Sequence, residues 1–229
     1  MIATGFQYDF DITSQSTITF SSNLHVLFIR HNLVTITTNA HHWNTVTHNE
    51  KGKVILHRFA SAAPVVKAKE YWLTQFSGNY KREATLNEER LSEGVKILDS
   101  KLGIRAHQMR IPSFILSLNG PAKENEGEVL AASLRWSGSF QFAFDVDWNK
   151  NLRLLTGMNP LGSQYNLERG GTFTTPAILY TYSKQGKGEA SRRFHRWAMA
   201  NAIRDAEKDR PVLLNNWEAD RKSTRLNSS

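Results

Sequence analysis

Arg210-Pro-Val-Leu-Leu-Asn-Asn-Trp-Glu-Ala219 is the stretch on which the reading of the whole chain turns. It opens with a charge and a proline, so a helix that precedes it should stop there. Val212, Leu213 and Leu214 then make an apolar run of the length of a buried strand. Asn215, Asn216, Trp217 and Glu218 follow at the carboxyl end of that strand. In β/α barrels this end faces the active site, and polar residues there bind or catalyse more often than they brace. An indole beside hydrogen-bonding groups suits a sugar ring, which offers C–H faces to stack on and hydroxyls to pair. The same spacing also fits an ordinary strand with a tryptophan packed at its end.

Upstream of this stretch the periodicity is helical. Glu189 to about Ala206 lacks Gly and Pro and spaces Phe194, Trp197, Ala198 and Ala202 three or four apart, which predicts an amphipathic helix of about five turns. Its Phe194/Trp197 face is expected to pack on a domain, with Arg192, Arg193, His195 and Arg196 as the solvated side. Gly186-Lys-Gly188 marks the boundary before it. Further upstream the period falls to two. Leu130, Ala132, Leu134 and Trp136 describe a strand buried on one face. Ser137-Gly138 breaks it, and Phe140, Phe142 and Phe144 resume the alternation. Tyr71–Phe76 and Ile178–Ser183 are further strands, and Ser16–Phe20 and Val34–Thr37 are short ones in a Thr- and Ser-rich opening. The mixed charges of Asn79–Leu91 read as a solvated loop or a protected sheet edge.

Composition narrows the function classes. The 229 residues are 40% hydrophobic and 22% charged, enough for one good core. The formal net charge is +8, but Arg221, Lys222 and Arg225 contribute to it from the last nine residues and the other bases are scattered among acids. With no basic block and no RNA-binding or zinc-finger signature, no nucleic-acid partner is expected. The absence of cysteine excludes disulfides, thiolate catalysis and Cys-ligated zinc. No run approaches the ~20 apolar residues of a membrane span, and none follows the initial Met as a signal peptide would. No membrane partner and a cytoplasmic location are therefore expected.

His25, His31, His41, His42 and His48 invite a metal, but no carboxylate accompanies the pair at 41 and 42, and adjacent strand residues point to opposite faces. No metal or cofactor is expected. His107 could be a ligand or a base, although a satisfied structural histidine is the commoner case. Asp145 and Asp147 share a face if their strand continues. A carboxylate pair can be a glycosidase's acid and nucleophile, but two on one strand cannot flank a scissile bond from opposite sides.

Several motifs together resemble one family. Arg210–Ala219 is similar to the Arg-Pro-Val-Leu-Ile-Asn-Asn-Trp-Glu-Ala-Thr that opens the catalytic barrel of glycoside hydrolase family 36, the α-galactosidases or melibiases. Gly127-Glu-Val-Leu-Ala-Ala-Ser-Leu-Arg-Trp-Ser-Gly-Ser-Phe140 resembles the family's Gly-Glu-x-x-Gly-Phe-Ser-Leu-x-Tyr-Ser-Gly-Asn-Phe. Gly157-Met-Asn-Pro160 and Leu167–Pro176 look like its Gly-Ile-Asn-Pro and Leu-x-Pro-Gly-Glu-x-Phe-x-Thr-Pro. Ser100, Gly103, His107, Gln108, Pro112 and Phe114 keep part of a further family segment. The likeness covers roughly residues 42–219. Residues 1–41 match poorly and lack the family's Gly-Asp-Tyr/Phe-Arg stretch, part of the sugar pocket that a neighbouring subunit supplies in tetrameric members.

The resemblance implies an all-β fold: a large antiparallel β-sandwich (a supersandwich) over residues 1–186, a linker helix over 187–209, and the first strand of a truncated β/α barrel over 210–219. Residues 220–229 resemble nothing in the family and read as an extraneous tail. It further implies an amino-terminal fragment of an enzyme that hydrolyses terminal α-galactosides with retention, through an Asp nucleophile and an Asp acid/base. Both aspartates would lie beyond Ala219, so no catalytic residue is assigned here and the fragment is expected to be inactive. Trp217 is carried over as the substrate-binding residue, an aromatic wall for the sugar. The implied partners are α-galactoside oligosaccharides and, for the parent enzyme, further copies of itself. Two other readings share these features: a stand-alone carbohydrate-binding β-sandwich, and a fragment of a same-family α-N-acetylgalactosaminidase or galactosyl transferase.

Overall fold

The period-two alternation is answered by short antiparallel strands. The computed structural model describes residues 65–79, 82–105, 109–161 and 164–212, with short segments between residues 10 and 61. The early strands are β1 (Phe10–Asp11), β2 (Ile18–Ser22), β3 (Ile29–Arg30), β4 (Leu33–Val34), β5 (Ala40–His42), β6 (Asn44–His48) and β7 (Val54–Leu56). Next come β8 (Val65–Lys67), β9 (Tyr71–Ser77), β10 (Thr85–Arg90), β11 (Gly94–Ser100) and β12 (Ser113–Leu118). Then follow β13 (Glu128–Leu134), β14 (Phe140–Val146), β15 (Asn151–Met158), β16 (Tyr165–Leu167), β17 (Thr172–Thr174) and β18 (Ile178–Ser183), before helix α1 (Gly186–Asn201).

Two sheets dominate. The larger runs β10-β9-β12-β13-β18-β5 and the smaller β11-β14-β15-β8, with every neighbouring pair antiparallel. In the larger sheet Leu116 sits between Leu73 and Leu130, and Leu130 faces Tyr182, so one face carries a continuous apolar row. In the smaller sheet Phe144 pairs with Leu154 and Val146 with Leu152. The rows meet face to face. The Phe114 ring lies edge-on to Phe142 and Phe144, with centroids 5.3 and 4.9 Å away. All these side chains are buried in one cluster. This is the expected β-sandwich. β10 is its exposed edge, carrying Glu88, Glu89 and Arg90, as the charges of that segment predict.

Three local expectations need correction. β13 is buried on both faces, because Val129 and Ala131 on its outer face are covered by Ala190 and Phe194 of α1. Small residues at this contact let the helix approach the sheet closely. Trp136 does not continue the buried row. β13 ends at Leu134, and the half-exposed indole folds over Gly138 and donates from Nε1 to the Ser139 carbonyl at 3.2 Å. A Cβ at Gly138 would lie 2.7 Å from that nitrogen, which accounts for the glycine. Arg193 is not a solvated residue. Its Nε bonds Glu189 at 3.1 Å and its guanidinium also donates to the Tyr182 carbonyl, fastening α1 to β18.

The helix is also displaced from the expected span of Glu189 to Ala206. It begins at Gly186 because the loop at residues 123–127 supplies the carbonyls its first turn needs. Gly186 N–H donates to Gly127, Lys187 N–H to Lys123 and Gly188 N–H to Glu124, each at 2.9 Å. It stops at Asn201, where the amides of Ala202 and Ile203 converge on the Ala198 carbonyl at 2.9 Å and Asp205 adopts a φ of 51°. The backbone divides into two compact units, residues 1–195 and 196–229. The described part of the second consists of the last turns of α1 and a run of turns to Val212, with Arg210 donating to the Arg204 carbonyl at 3.1 Å.

Candidate functional site

Of the stretch Arg210–Ala219, the structure describes Arg210, Pro211 and Val212, which carry no strand pairing, with Val212 fully exposed. A parallel barrel strand draws its hydrogen bonds only from neighbouring barrel strands. Leu213 to Glu218, and with them Trp217, lie outside the described residues, as do His107, Gln108 and the tail from Asp220. What the structure does show is how the chain leaves the sandwich. Gly186 has a φ of 75°, and a Cβ there would lie 2.5 Å from the carbonyl oxygens of Lys123 and Glu124. Only glycine fits both constraints. Burial alone would raise the Glu88 carboxyl, but hydrogen bonds from Lys187 and Thr74 outweigh it and hold it below its usual range. The polar N-terminal turn of the helix is thereby tied to β10 and β9.

Of the two acids singled out in sequence, Asp147 proves structural. β14 ends at Val146, so Asp145 and Asp147 do not share a strand face. Asp147 holds the turn between β14 and β15. Its Oδ1 accepts the amides of Asn149 and Asn151 at 2.8 Å and its Oδ2 the Asn151 side chain at 2.8 Å. The Asn151 side chain first, then its backbone amide, lower the Asp147 pKa. His41 and His42 pair with Leu179 and Ile178 as adjacent strand positions. Among the described residues no group of three or more His, Cys, Asp or Glu is placed to hold a metal, and no helix is long and apolar enough to cross a membrane.

An open cleft of about 360 Å³ lies at one end of the sandwich. Its floor is Tyr71, Leu91 and Val146, all buried. Lys69, Glu70, Arg90, Ser92, Glu93 and Lys150 form the rim. Arg90 bridges Glu70 at 2.8 Å, and Lys150 bridges Glu93 at 2.6 Å. The Tyr71 hydroxyl accepts the Ala68 amide at 2.8 Å, and the Val66 and Lys150 carbonyls lie 2.8 and 2.7 Å from it. Burial pushes this phenol up to about 12, so it stays protonated and serves as a brace. Sequence reasoning missed the cleft because its residues come from four separated segments.

Comparison with known proteins places this architecture. The profile described as "Glycosyl hydrolase family 36 N-terminal domain" matches residues 25–168, and the one described as "Melibiase" matches residues 172–224. "Alpha-galactosidase C" of Emericella nidulans is 33% identical over 175 residues, covering 76% of this chain and 23% of that protein. "Alpha-galactosidase AgaA" of Geobacillus stearothermophilus is 31% identical over 185 residues, covering 77% of this chain and 25% of its own length. Among solved structures, the α-galactosidase from Lactobacillus brevis superposes with a TM-score of 0.75 at 29% identity, over 82% of this chain and 25% of that one. AgaA in complex with stachyose gives 0.75 at 27% identity, over 80% and 25%. The chain thus spans about a quarter of the length of these relatives. With an amino-terminal profile over most of its sandwich and a melibiase profile running on through β17, β18 and α1, this chain belongs to glycoside hydrolase family 36.

Proposed function

We propose that this chain supplies the amino-terminal sandwich and the opening of the catalytic barrel of an α-galactosidase that hydrolyses terminal α-galactosides. The observation that carries this reading is the succession of the two profiles, sandwich then melibiase, along one chain. The relatives that it matches are named as α-galactosidases, and solved neighbours carry stachyose or raffinose. Residues 1–186 then form the sandwich, 187–209 the linker and 210–219 the first barrel strand, and the melibiase profile runs on to residue 224.

Hydrolysis in this reading proceeds with retention. One aspartate forms a glycosyl-enzyme; the other protonates the leaving oxygen and later activates water, the two carboxyls about 5–5.5 Å apart. Both come from barrel segments beyond Ala219, and Trp217 forms one wall of the sugar pocket. The whole enzyme works as a homo-oligomer. Because the chain holds neither aspartate, the covalent route is closed to it alone. The purified chain, incubated with an aryl α-galactoside, is expected to release no phenol above blank. Turnover that survives repurification would overturn the assignment of catalysis to the barrel.

A further inference from the structure

We propose that strand β11 is a self-association edge, which pairs antiparallel with β11 of a second copy of this chain. β11 ends the smaller sheet, and among the described residues it pairs with β14 alone. That pairing runs without a bulge from Gly94 and Val146 to Ser100 and Phe140, so the strand is regular over all seven residues. In an antiparallel pair alternate residues turn their N–H and C=O away from the partner, and such a row templates a further strand. Val95 and Ile97, on the outer face, are 60% and 47% exposed. Ile97 continues the row that Ala143 and Leu155 make across β14 and β15.

The devices that guard a sheet edge are lacking or already engaged here. β11 has neither proline nor bulge. Lys96, its one base, pairs with the core residue Phe144 and so faces inwards, where it bonds Glu89 of β10 at 2.8 Å. Asp99, its one acid, pairs with Lys101 at 2.9 Å and accepts the Asn159 side chain at 3.2 Å. The other edges are guarded: β10 by Glu88, Glu89 and Arg90, and β5 and β8 by a length of three residues. The sequence of β11 names the occupant, because the strand complements itself. A two-fold register centred on Lys96 overlaps Gly94–Leu98 of both copies and sets Val95 beside Ile97 of the second copy twice, on one continuous outer face. The two Lys96 side chains meet on the other face, where each already has its Glu89. Asp99 lies beyond the overlap. An unrelated strand would gain the backbone bonds but not the paired Val95 and Ile97.

The test is sedimentation velocity of the full chain over a range of concentrations. A short strand pairing is a small contact, so the expected dissociation constant is on the order of 10–100 μM. As concentration crosses that range the mass should rise from the 26.0 kDa of one chain towards twice that. Ile97→Lys puts like charges in the seam and should weaken association about tenfold or more. The side chain is half-exposed, so the melting temperature should not move. Leu86→Lys, on the guarded edge β10 and 56% exposed, should leave association unchanged. Hydrogen exchange of the β11 amides should slow as concentration rises, which distinguishes edge pairing from contact elsewhere. A mass of one chain throughout the range, or a dimer undiminished in Ile97→Lys, would overturn the proposal. So would a dimer lost in Leu86→Lys as well, or β11 amides that exchange equally fast at both ends of the range. None of these outcomes bears on where catalysis occurs.

Discussion

Replacing Gly186 with alanine should unfasten the helix from the sandwich. Two costs combine at this position. The backbone φ of 75° is left-handed, which disfavours any residue with a Cβ by roughly 1–2 kcal/mol. The added methyl would also lie 2.5 Å from the Lys123 and Glu124 carbonyl oxygens, closer than real contacts allow. Loop and helix must separate, which endangers the three 2.9 Å bonds from Gly186, Lys187 and Gly188. Each contributes about 0.5–1.5 kcal/mol net. The total is about 2.5–6.5 kcal/mol, or a fall of about 5–26 °C in melting temperature for a chain of this size. Gly170 is the natural control. Its φ is 78° but nothing lies within 4 Å of its Cβ position, so Gly170→Ala carries only the backbone cost. That amounts to about 2–8 °C. Thermal melts of the two variants decide the matter. If Gly186→Ala melts within about 4 °C of Gly170→Ala, the close approach contributes nothing and the reasoning fails.

Three further outcomes are expected. Asp147 ionises below its ordinary value of 3.8 when folded, so its contribution is complete above that pH and fades as pH falls through the lower folded value. Asp147→Asn should therefore flatten the acid limb of the stability profile, and an unchanged limb measured by acid titration of the melting temperature would refute this. In an enzyme completed by a family barrel, Trp217→Ala should lower kcat/KM by roughly 10- to 1000-fold with no shift in melting temperature. A folded variant of full activity would remove Trp217 from the pocket. Deletion of Arg221–Ser229 should leave the melting temperature unchanged, since a polar segment has little apolar surface to offset its ordering entropy; a fall of more than about 4 °C would show that it packs.

The sandwich was legible because its signal is local and repeated. Phe140, Phe142 and Phe144 alternate with smaller or polar neighbours, and all three reach the core. What sequence could not show depends on contacts between distant segments. Trp136 fits the same alternation, yet its fate is set by Gly138 and the strand end rather than by period. Arg193 fits a solvated helix face, but the Tyr182 carbonyl lies beneath it and draws it down. Gly186 and Gly188 read as a helix boundary and are instead its first turn, because a loop some sixty residues upstream caps it. The cleft draws its lining from residues 69–71, 90–93, 146 and 150, a combination no single window displays. The reading of Trp217 rests on motif alone, and its neighbours in space would come from other barrel strands.

The most direct test joins a family 36 barrel after Ala219 and follows a terminal α-galactoside by NMR from the first turnover. The account predicts that the folded chimera releases galactose first as the α-anomer while this chain alone releases none, because a glycosyl-enzyme on a barrel aspartate inverts the centre twice. A folded chimera that releases the β-anomer first, or galactose released by the chain alone, would contradict it.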